Sequence, residues 1–193
     1  MQHIDAGAMP GRGTSARNKR LLVLLAAIAL APIAFSYLAY YAWPRDTRVN
    51  YGELLSGTLP HIVGTRHDGT AFDSNDIHGR WLLLHVAPGD CSGTCADSLY
   101  ASRQARTIQN AERERVVRVW LVNGGPEPAA SLLAEHPDLA AVRVAAPPAL
   151  PRGTQRIYLI DPLGNFVLAW PSKPDIKAMA KDLGRVLRAS SIG

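Results

Sequence analysis

The sequence predicts an α/β fold, a mixed sheet flanked by helices, preceded by one transmembrane helix. Three observations support this prediction: a long apolar segment near the N-terminus, two apolar runs of strand length, and strand patterns that alternate with helical ones. The chain has 193 residues, enough for one ordinary domain and an anchor. With 47% hydrophobic and 19% charged residues, its composition is that of a globular protein.

The predicted anchor is residues 21–43, which contain no charged side chain: LLVLLAAIALAPIAFSYLAYYAW. A helix of this length spans about 34 Å and can cross a hydrocarbon core of about 30 Å. Basic residues precede it, so the positive-inside rule places residues 1–20 in the cytoplasm and the domain on the export side. The segment ends in bulky aromatic residues up to Trp43, unlike the small-residue cleavage site of a signal peptide.

The net charge of +5 does not indicate a nucleic-acid-binding protein. Residues 1–43 contribute +3 of this charge, and the rest of the chain contributes only +2. The sequence has no dense run of Lys and Arg with interleaved aromatic residues. We therefore expect a membrane, but no nucleic acid, among its partners.

The remainder of the chain is predicted to be a linker over residues 44–59 and one domain over residues 60–193. A hairpin is predicted within residues 61–72, followed by buried strands at WLLLHVA and VVRVWLV. A helix over residues 95–111 connects these two strands. The later predicted elements are a short helix over residues 128–135, a strand over 142–145, a hairpin over 157–170, and a helix starting near Pro174.

The chain has two cysteines, Cys91 and Cys95, between a predicted buried strand and the start of a helix. Two cysteines are too few for a disulfide scaffold or an all-cysteine zinc site. Backbone N–H groups at a helix start favour a thiolate over a thiol. A thiolate attacks disulfides and is also a soft ligand for Cu(I), so the spacing does not separate these two uses. An inert structural disulfide is the third interpretation.

The histidines differ in their relation to this pair. His85 lies on the predicted strand six residues before Cys91 and is a candidate third metal ligand, although a packed core histidine is the more ordinary role. His136 ends a predicted short helix, where a cation is favoured. Surface positions are expected for the histidines of the N-terminal hairpin and turn region, His61, His67 and His78.

Four segments of the chain resemble the Sco/SenC family: Gly79-Arg80-Trp81, LLLHVAPGD, CSGTC and YLIDPLGNFV. Members of that family are membrane-anchored thioredoxin-fold proteins that help assemble the copper centre of cytochrome c oxidase. The resemblance covers most of residues 50–190. It implies a thioredoxin-like domain on the periplasmic side of a bacterial inner membrane, with an oxidase subunit or another redox protein as partner.

Family members bind copper through two cysteines and one histidine, and the cysteines correspond to Cys91 and Cys95. The family histidine lies shortly before the tyrosine of the YLIDP segment, where this chain has Arg152-Gly153-Thr154. This difference favours thiol–disulfide exchange over copper binding, because exchange needs only two sulfurs. The resemblance therefore implies a Sco-like assembly protein that acts by exchange through the pair, with Cu(I) binding there as a second use. The alternative is a non-catalytic assembly or docking factor with a structural disulfide.

Overall fold

The computed structural model describes residues 14–42 and 50–192. The predictions for residues 1–13 and 43–49, including Trp43 at the aromatic end of the anchor, lie outside these ranges. The two described ranges belong to separate compact units.

The first unit contains helix α1, Thr14–Ala42. Within it, Asn18–Tyr41 is long and apolar enough to cross a membrane, with a mean hydropathy of 2.5. Its apolar side chains are exposed, and Pro32 lies inside the helix without ending it. The predicted apolar anchor is therefore a continuous helix over its described residues. An N-terminal signal sequence can meet the same criteria of length and hydropathy.

The second unit contains an eight-stranded mixed sheet with helices packed against it. Its strands are β1 Glu53–Leu54, β2 Val63–Arg66, β3 Ala71–Asp73, β4 Trp81–Ala87, β5 Val116–Val122, β6 Leu139–Arg143, β7 Arg156–Ile160 and β8 Phe166–Pro171. Its α-helices are α2 Thr94–Thr107, α3 Ala130–Glu135 and α4 Ile176–Ala189, and its 3-10 helices are Ser74–Ile77 and Asn110–Arg115.

The strand order across the sheet is β1-β8-β7-β4-β5-β6-β2-β3. β4 and β5 run parallel to each other, as do β5 and β6, and the other neighbours are antiparallel. β4 therefore lies near the centre, between parallel β5 and antiparallel β7. This arrangement confirms the predicted mixed sheet flanked by helices. The loop that follows β4 therefore lies at one end of the sheet.

Both faces of the sheet are covered. All seven residues of β4 are buried, as expected for a central strand. Leu82 and Leu84 pack on one face with Ile77 of the first 3-10 helix. Leu83 packs on the other face with Leu183 of α4, and α2 and α3 cover the neighbouring part of that face. The continuous apolar run of β4 is therefore explained by packing on its two sides.

The structure differs from the predicted elements mainly at their ends. β1 lies within residues 44–59, the predicted linker, and pairs with β8. A two-residue strand carries no alternation that a sequence pattern could reveal. β6 begins earlier than predicted, at Leu139. α4 begins at Ile176, because the Asp175 side chain caps it by accepting a hydrogen bond from the Ala178 N–H.

Candidate functional site

The two cysteines form a disulfide at the junction between β4 and α2. Their Cα atoms are 5.2 Å apart, and both residues are half-buried. Cys91 lies in the loop after β4, whereas Cys95 lies in the first turn of α2. Gly93, just before that helix, has a φ of +55°, which favours glycine over residues with a side chain. The loop therefore brings one sulfur to the helix start and holds the other just outside it.

His85 on β4 lies directly beside this disulfide. Its Nε2 is 3.6 Å from the Sγ of Cys95, and the residue is only 5% exposed. Burial lowers the pKa of the His85 imidazole to about 4, an effect that the nearby Arg156 backbone only partly offsets. The ring is therefore neutral at neutral pH. The structure thus brings together all three residues that the sequence singled out.

Cys95 borders a hollow of about 270 Å³ that His85 also lines. None of its lining residues is Asp, Glu, Lys or Arg. Its polar lining consists of neutral side chains, Thr94, Ser98, Asn123, Thr154, Gln155 and Ser172. The environment on this side of the disulfide is therefore polar but without a formal charge.

Cys91 borders a second hollow, of about 370 Å³. Three acidic residues line it, Asp90, Glu127 and Glu135, together with apolar residues such as Leu132. Glu127 forms an ion pair with Arg143, whose Nε lies 2.6 Å from its carboxylate. The two sulfurs of the disulfide therefore border different surroundings.

The loop that carries Cys91 is held by close backbone packing. The Gly89 N–H donates a hydrogen bond to the Gly124 carbonyl at 3.1 Å. A Cβ at Gly89 would lie 1.8 Å from the Pro126 carbonyl oxygen, so only glycine fits there. Below the loop, the Trp120 indole N–H donates to the Ala87 carbonyl at 3.2 Å. The position of the disulfide is therefore fixed by contacts at the end of the sheet.

The loop before β7, which contains Arg152, Gly153 and Thr154, also borders the site. Thr154 lies in the wall of the Cys95 hollow. Arg152 belongs to the same segment, but its side chain pairs with Glu53 at 2.6 Å. Thr154 and Gln155 of the loop before β7 therefore line the same hollow as His85 and Cys95.

The other described histidines line neither of these two hollows. His61 forms a hydrogen bond with Asp73 at 2.8 Å, and His67 and His78 are exposed, as predicted. His136 ends α3 but is buried, and burial, followed by the charge of Arg118, lowers its pKa. The predicted favourable cation at that helix end is therefore wrong, because the ring packs into the interior.

Within residues 14–42 and 50–192, no group of three or more His, Cys, Asp or Glu side chains is arranged to hold a metal ion. The two sulfurs are bonded to each other in this state. Reduction would free two cysteine sulfurs, of which that of Cys95 lies beside the His85 imidazole. Such sulfur and nitrogen donors are of the type that Cu(I) prefers, so the donor chemistry fits that ion.

One charged group near the site is missed by the sequence predictions. Arg118 on β5 is 1% exposed, and its Nη1 donates to the Asp138 carboxylate at 3.0 Å. Its Nη2 donates to the Leu99 carbonyl of α2 at 2.6 Å. Burial lowers the pKa of Arg118 to about 10, although Asp138 opposes this effect. An arginine inside the apolar run VVRVWLV was the available signal.

Comparison with known sequences identifies the domain. A family model described as the transmembrane-like, thioredoxin-like, C-terminal domain matches residues 81–190, more than half of the chain. The chain belongs to this family. The region matched by the transmembrane-like, thioredoxin-like family model begins with β4 and extends into α4, so it includes the disulfide and His85. No curated protein sequence matches the chain significantly.

Solved structures with a similar fold include Sco proteins and a thiol–disulfide oxidoreductase. Copper-bound ScoI of Arabidopsis thaliana is 16% identical, with a TM-score of 0.56 over 69% of this chain and 100% of that one. BsSco, a Sco-family cytochrome c oxidase assembly protein with a disulfide switch, is 14% identical, with a TM-score of 0.54 over 72% and 98%. The thioredoxin domain of a Bacteroides vulgatus thiol–disulfide oxidoreductase is 15% identical, with a TM-score of 0.52 over 70% and 99%. This likeness confirms the predicted thioredoxin-like fold that Sco proteins share.

Proposed function

We propose that this protein is a membrane-anchored thiol–disulfide exchange protein, with Cys91 and Cys95 as its redox pair. The observation that carries this proposal is the half-buried disulfide between β4 and α2, with one sulfur beside a neutral buried histidine. A disulfide at a helix start is placed where a thiolate is favoured on reduction. The similar folds of a thiol–disulfide oxidoreductase and of a Sco protein with a disulfide switch support the same chemistry.

The proposed reaction transfers two electrons between the pair and a target disulfide. In the reduced protein, one cysteine thiolate attacks the target, the target S–S bond breaks, and a mixed disulfide forms as one target thiolate leaves. The second cysteine then attacks the mixed disulfide, which restores the Cys91–Cys95 bond and releases the other target sulfur. The protein is oxidised and the target is reduced. A dithiol donor must then reduce the pair before the next cycle.

We further propose that the targets belong to cytochrome c oxidase assembly. This proposal rests on the Sco/SenC resemblance of the chain and on the similarity of its fold to that of BsSco. The substrate class would be a disulfide between the copper-ligand cysteines of an oxidase subunit, which must be reduced before the metal can bind. The location proposed for this reaction is the periplasmic face of a bacterial inner membrane, with α1 as an uncleaved anchor.

Cu(I) is the second candidate, as cargo of the reduced pair. The observation that favours it is the 3.6 Å approach of His85 Nε2 to Cys95 Sγ, which places a ring nitrogen beside one of the two sulfurs. The copper-bound ScoI structure, which has a similar fold, is consistent with this candidate. Exchange remains the first proposal because it requires only the pair itself.

Exchange is tested on the full chain in detergent. The reduced protein should reduce a protein disulfide, and the Cys91→Ser and Cys95→Ser variants should not complete the cycle. The pair should also titrate in glutathione buffers at a potential above about −300 mV, because structural disulfides lie below that value. A lower potential, together with no reduction of any target disulfide, would establish the structural alternative.

Copper binding is measured on the same reduced, anaerobic sample. The full chain should take one Cu(I) from a weak colorimetric Cu(I) chelator, and the Cys91→Ser/Cys95→Ser double variant should take none. Failure of the wild-type protein to compete with the chelator would eliminate the copper candidate and leave the exchange proposal unaffected.

The proposed anchor is tested in cells. The full chain should remain in the membrane fraction at its uncleaved mass, and protease added outside spheroplasts should digest the domain. Release of a shorter soluble form would indicate a cleaved signal sequence instead.

A further inference from the structure

The two sulfurs of the disulfide are not equivalent. Cys95 lies in the first turn of α2, and its Sγ is 3.6 Å from His85 Nε2. Cys91 lies outside the helix and borders the larger, acidic hollow. An exchange reaction at this disulfide must attack one sulfur and release the other, so this difference can decide which sulfur leaves.

The hydrogen-bonding state of His85 follows from its surroundings. A neutral imidazole carries one N–H, on either Nδ1 or Nε2. Within the described part of the chain, the buried Nδ1 makes no hydrogen bond even though the Arg156 backbone lies near the ring, whereas Nε2 is 3.6 Å from the Cys95 sulfur. The tautomer with its proton on Nε2 gives that N–H an acceptor. We therefore assign an Nε2–H that donates to Cys95 Sγ, the tautomer being inferred from the contacts.

A hydrogen bond of this kind is stronger to a thiolate than to a disulfide sulfur, because the thiolate carries a full negative charge. The N-terminal turn of α2 acts in the same direction on a sulfur at Cys95. Both effects stabilise the thiolate form of Cys95 once the disulfide opens. On the Cys91 side, the neighbouring Asp90 is acidic and would oppose a second negative charge.

Resting on the proposed exchange function, we propose that His85 is a positioning residue that makes Cys95 the leaving sulfur and Cys91 the sulfur that forms the mixed disulfide. When a dithiol donor reduces the pair, one donor thiolate forms a bond to Cys91 Sγ as the Cys91–Cys95 bond breaks, and the second donor thiolate then attacks the mixed disulfide and releases Cys91 as a thiolate. The electron pair of the Cys91–Cys95 bond remains on Cys95 Sγ, which receives the hydrogen bond from His85 without proton transfer. With a target disulfide, the Cys91 thiolate bonds to one target sulfur as the target S–S bond breaks and one target thiolate leaves; Cys95 then attacks Cys91 Sγ, which restores the Cys91–Cys95 bond and releases the second target thiolate.

The test compares His85→Leu, which removes the donor, with His85→Gln, which keeps an N–H donor on a flexible side chain. In glutathione buffers, the His85→Leu variant should shift the equilibrium toward the disulfide by about tenfold or more, as expected for a hydrogen bond to a charged group. His85→Gln should recover most of this shift. Unfolding curves of both variants separate a redox effect from loss of the fold, because a merely structural role would be disturbed by both substitutions and not rescued by glutamine.

A second measurement identifies the sulfur that forms the mixed disulfide. Each single cysteine variant is incubated with a disulfide of glutathione, and the glutathionylated fraction is followed by mass. The Cys95→Ser variant should form the adduct on Cys91 faster than the Cys91→Ser variant forms it on Cys95, and equal or reversed rates would overturn the assignment of Cys91. Equal potentials in wild type, His85→Leu and His85→Gln would overturn the proposal for His85.

The two proposals fail in different ways. Normal wild-type exchange with an unchanged His85→Leu variant would remove the role of His85 and leave the exchange function intact. A wild-type pair that exchanges with neither glutathione nor a protein disulfide would overturn both.

Discussion

The backbone N–H of Gly52 donates a hydrogen bond of 2.8 Å to the carboxylate of Asp182, 130 residues later in the chain. Asp182 is 2% exposed and also accepts a hydrogen bond from the Trp170 indole at 3.2 Å. One buried carboxylate therefore fixes the segment before β1 to α4 and β8. The approach is close, since a Cβ at Gly52 would lie 2.6 Å from the indole nitrogen.

Removal of this carboxylate should destabilise the domain. Asp182→Ala leaves the N–H groups of Gly52 and Trp170 buried without their acceptor, at a cost of about 2–4 kcal/mol in the free energy of unfolding. Urea denaturation of the full chain measures this loss. Glu135→Ala is the control, because that exposed carboxylate makes no hydrogen bond or ion pair recorded within the described residues, and its effect should stay within about 0.5 kcal/mol. Equal losses in both variants would contradict this role for Asp182.

Arg118 and Asp138 should respond unequally to substitution. Asp138→Ala leaves the buried guanidinium without its carboxylate partner, which costs about 3–5 kcal/mol. Arg118→Met replaces the charge with an apolar side chain of similar length and should cost less. In the double variant, much of the loss caused by Asp138→Ala should disappear, because the fully buried guanidinium of Arg118 is gone; the part due to Arg106, whose Nη1 lies 3.3 Å from the Asp138 carboxylate, remains. A double-mutant cycle by urea denaturation checks this prediction, and strictly additive losses would contradict it.

The sequence predicted those features that depend on local patterns. β4 and β5 have the predicted bounds because each is a continuous apolar run, and the turn residues of the first hairpin mark its reversal. The sequence also makes His85 a candidate neighbour of the pair, because His85 and Cys91 flank one short loop. The partners of Arg118 and Asp182 could not be predicted, because their hydrogen bonds join residues that only the completed sheet brings together.

Gly89→Ala should disturb the loop that carries Cys91. The added methyl group would meet the Pro126 carbonyl oxygen at 1.8 Å, so the loop must shift, at a cost of at least about 1 kcal/mol. A shifted loop strains the disulfide, which should then be reduced more readily in a glutathione titration. Gly69→Ala is the matched control, since Gly69 lies in the distant hairpin turn with a φ of +84°. That variant should lose stability but keep the wild-type redox equilibrium, and a redox shift of equal size in both variants would contradict the prediction.

Acidification should lower the free energy of unfolding, because the buried His85 imidazole is protonated more readily in the unfolded chain. Its pKa is about 4 in the folded protein, mainly because of burial, and 6.5 when unfolded, so the unfolded chain binds more protons between these values. The contribution of His85 to the free energy of unfolding is therefore fully present above pH 6.5. It falls by roughly 3 kcal/mol as the pH decreases toward 4. The buried ring of His136 adds a decrease of the same sign, because its pKa is also lowered, mainly by burial. Urea denaturation of the oxidised protein at pH 4, 5, 6 and 7 measures the slope, and His85→Gln, which does not titrate, should retain only the part due to the other groups. If the slope is the same in wild type and His85→Gln, His85 is not the group whose protonation destabilises the fold.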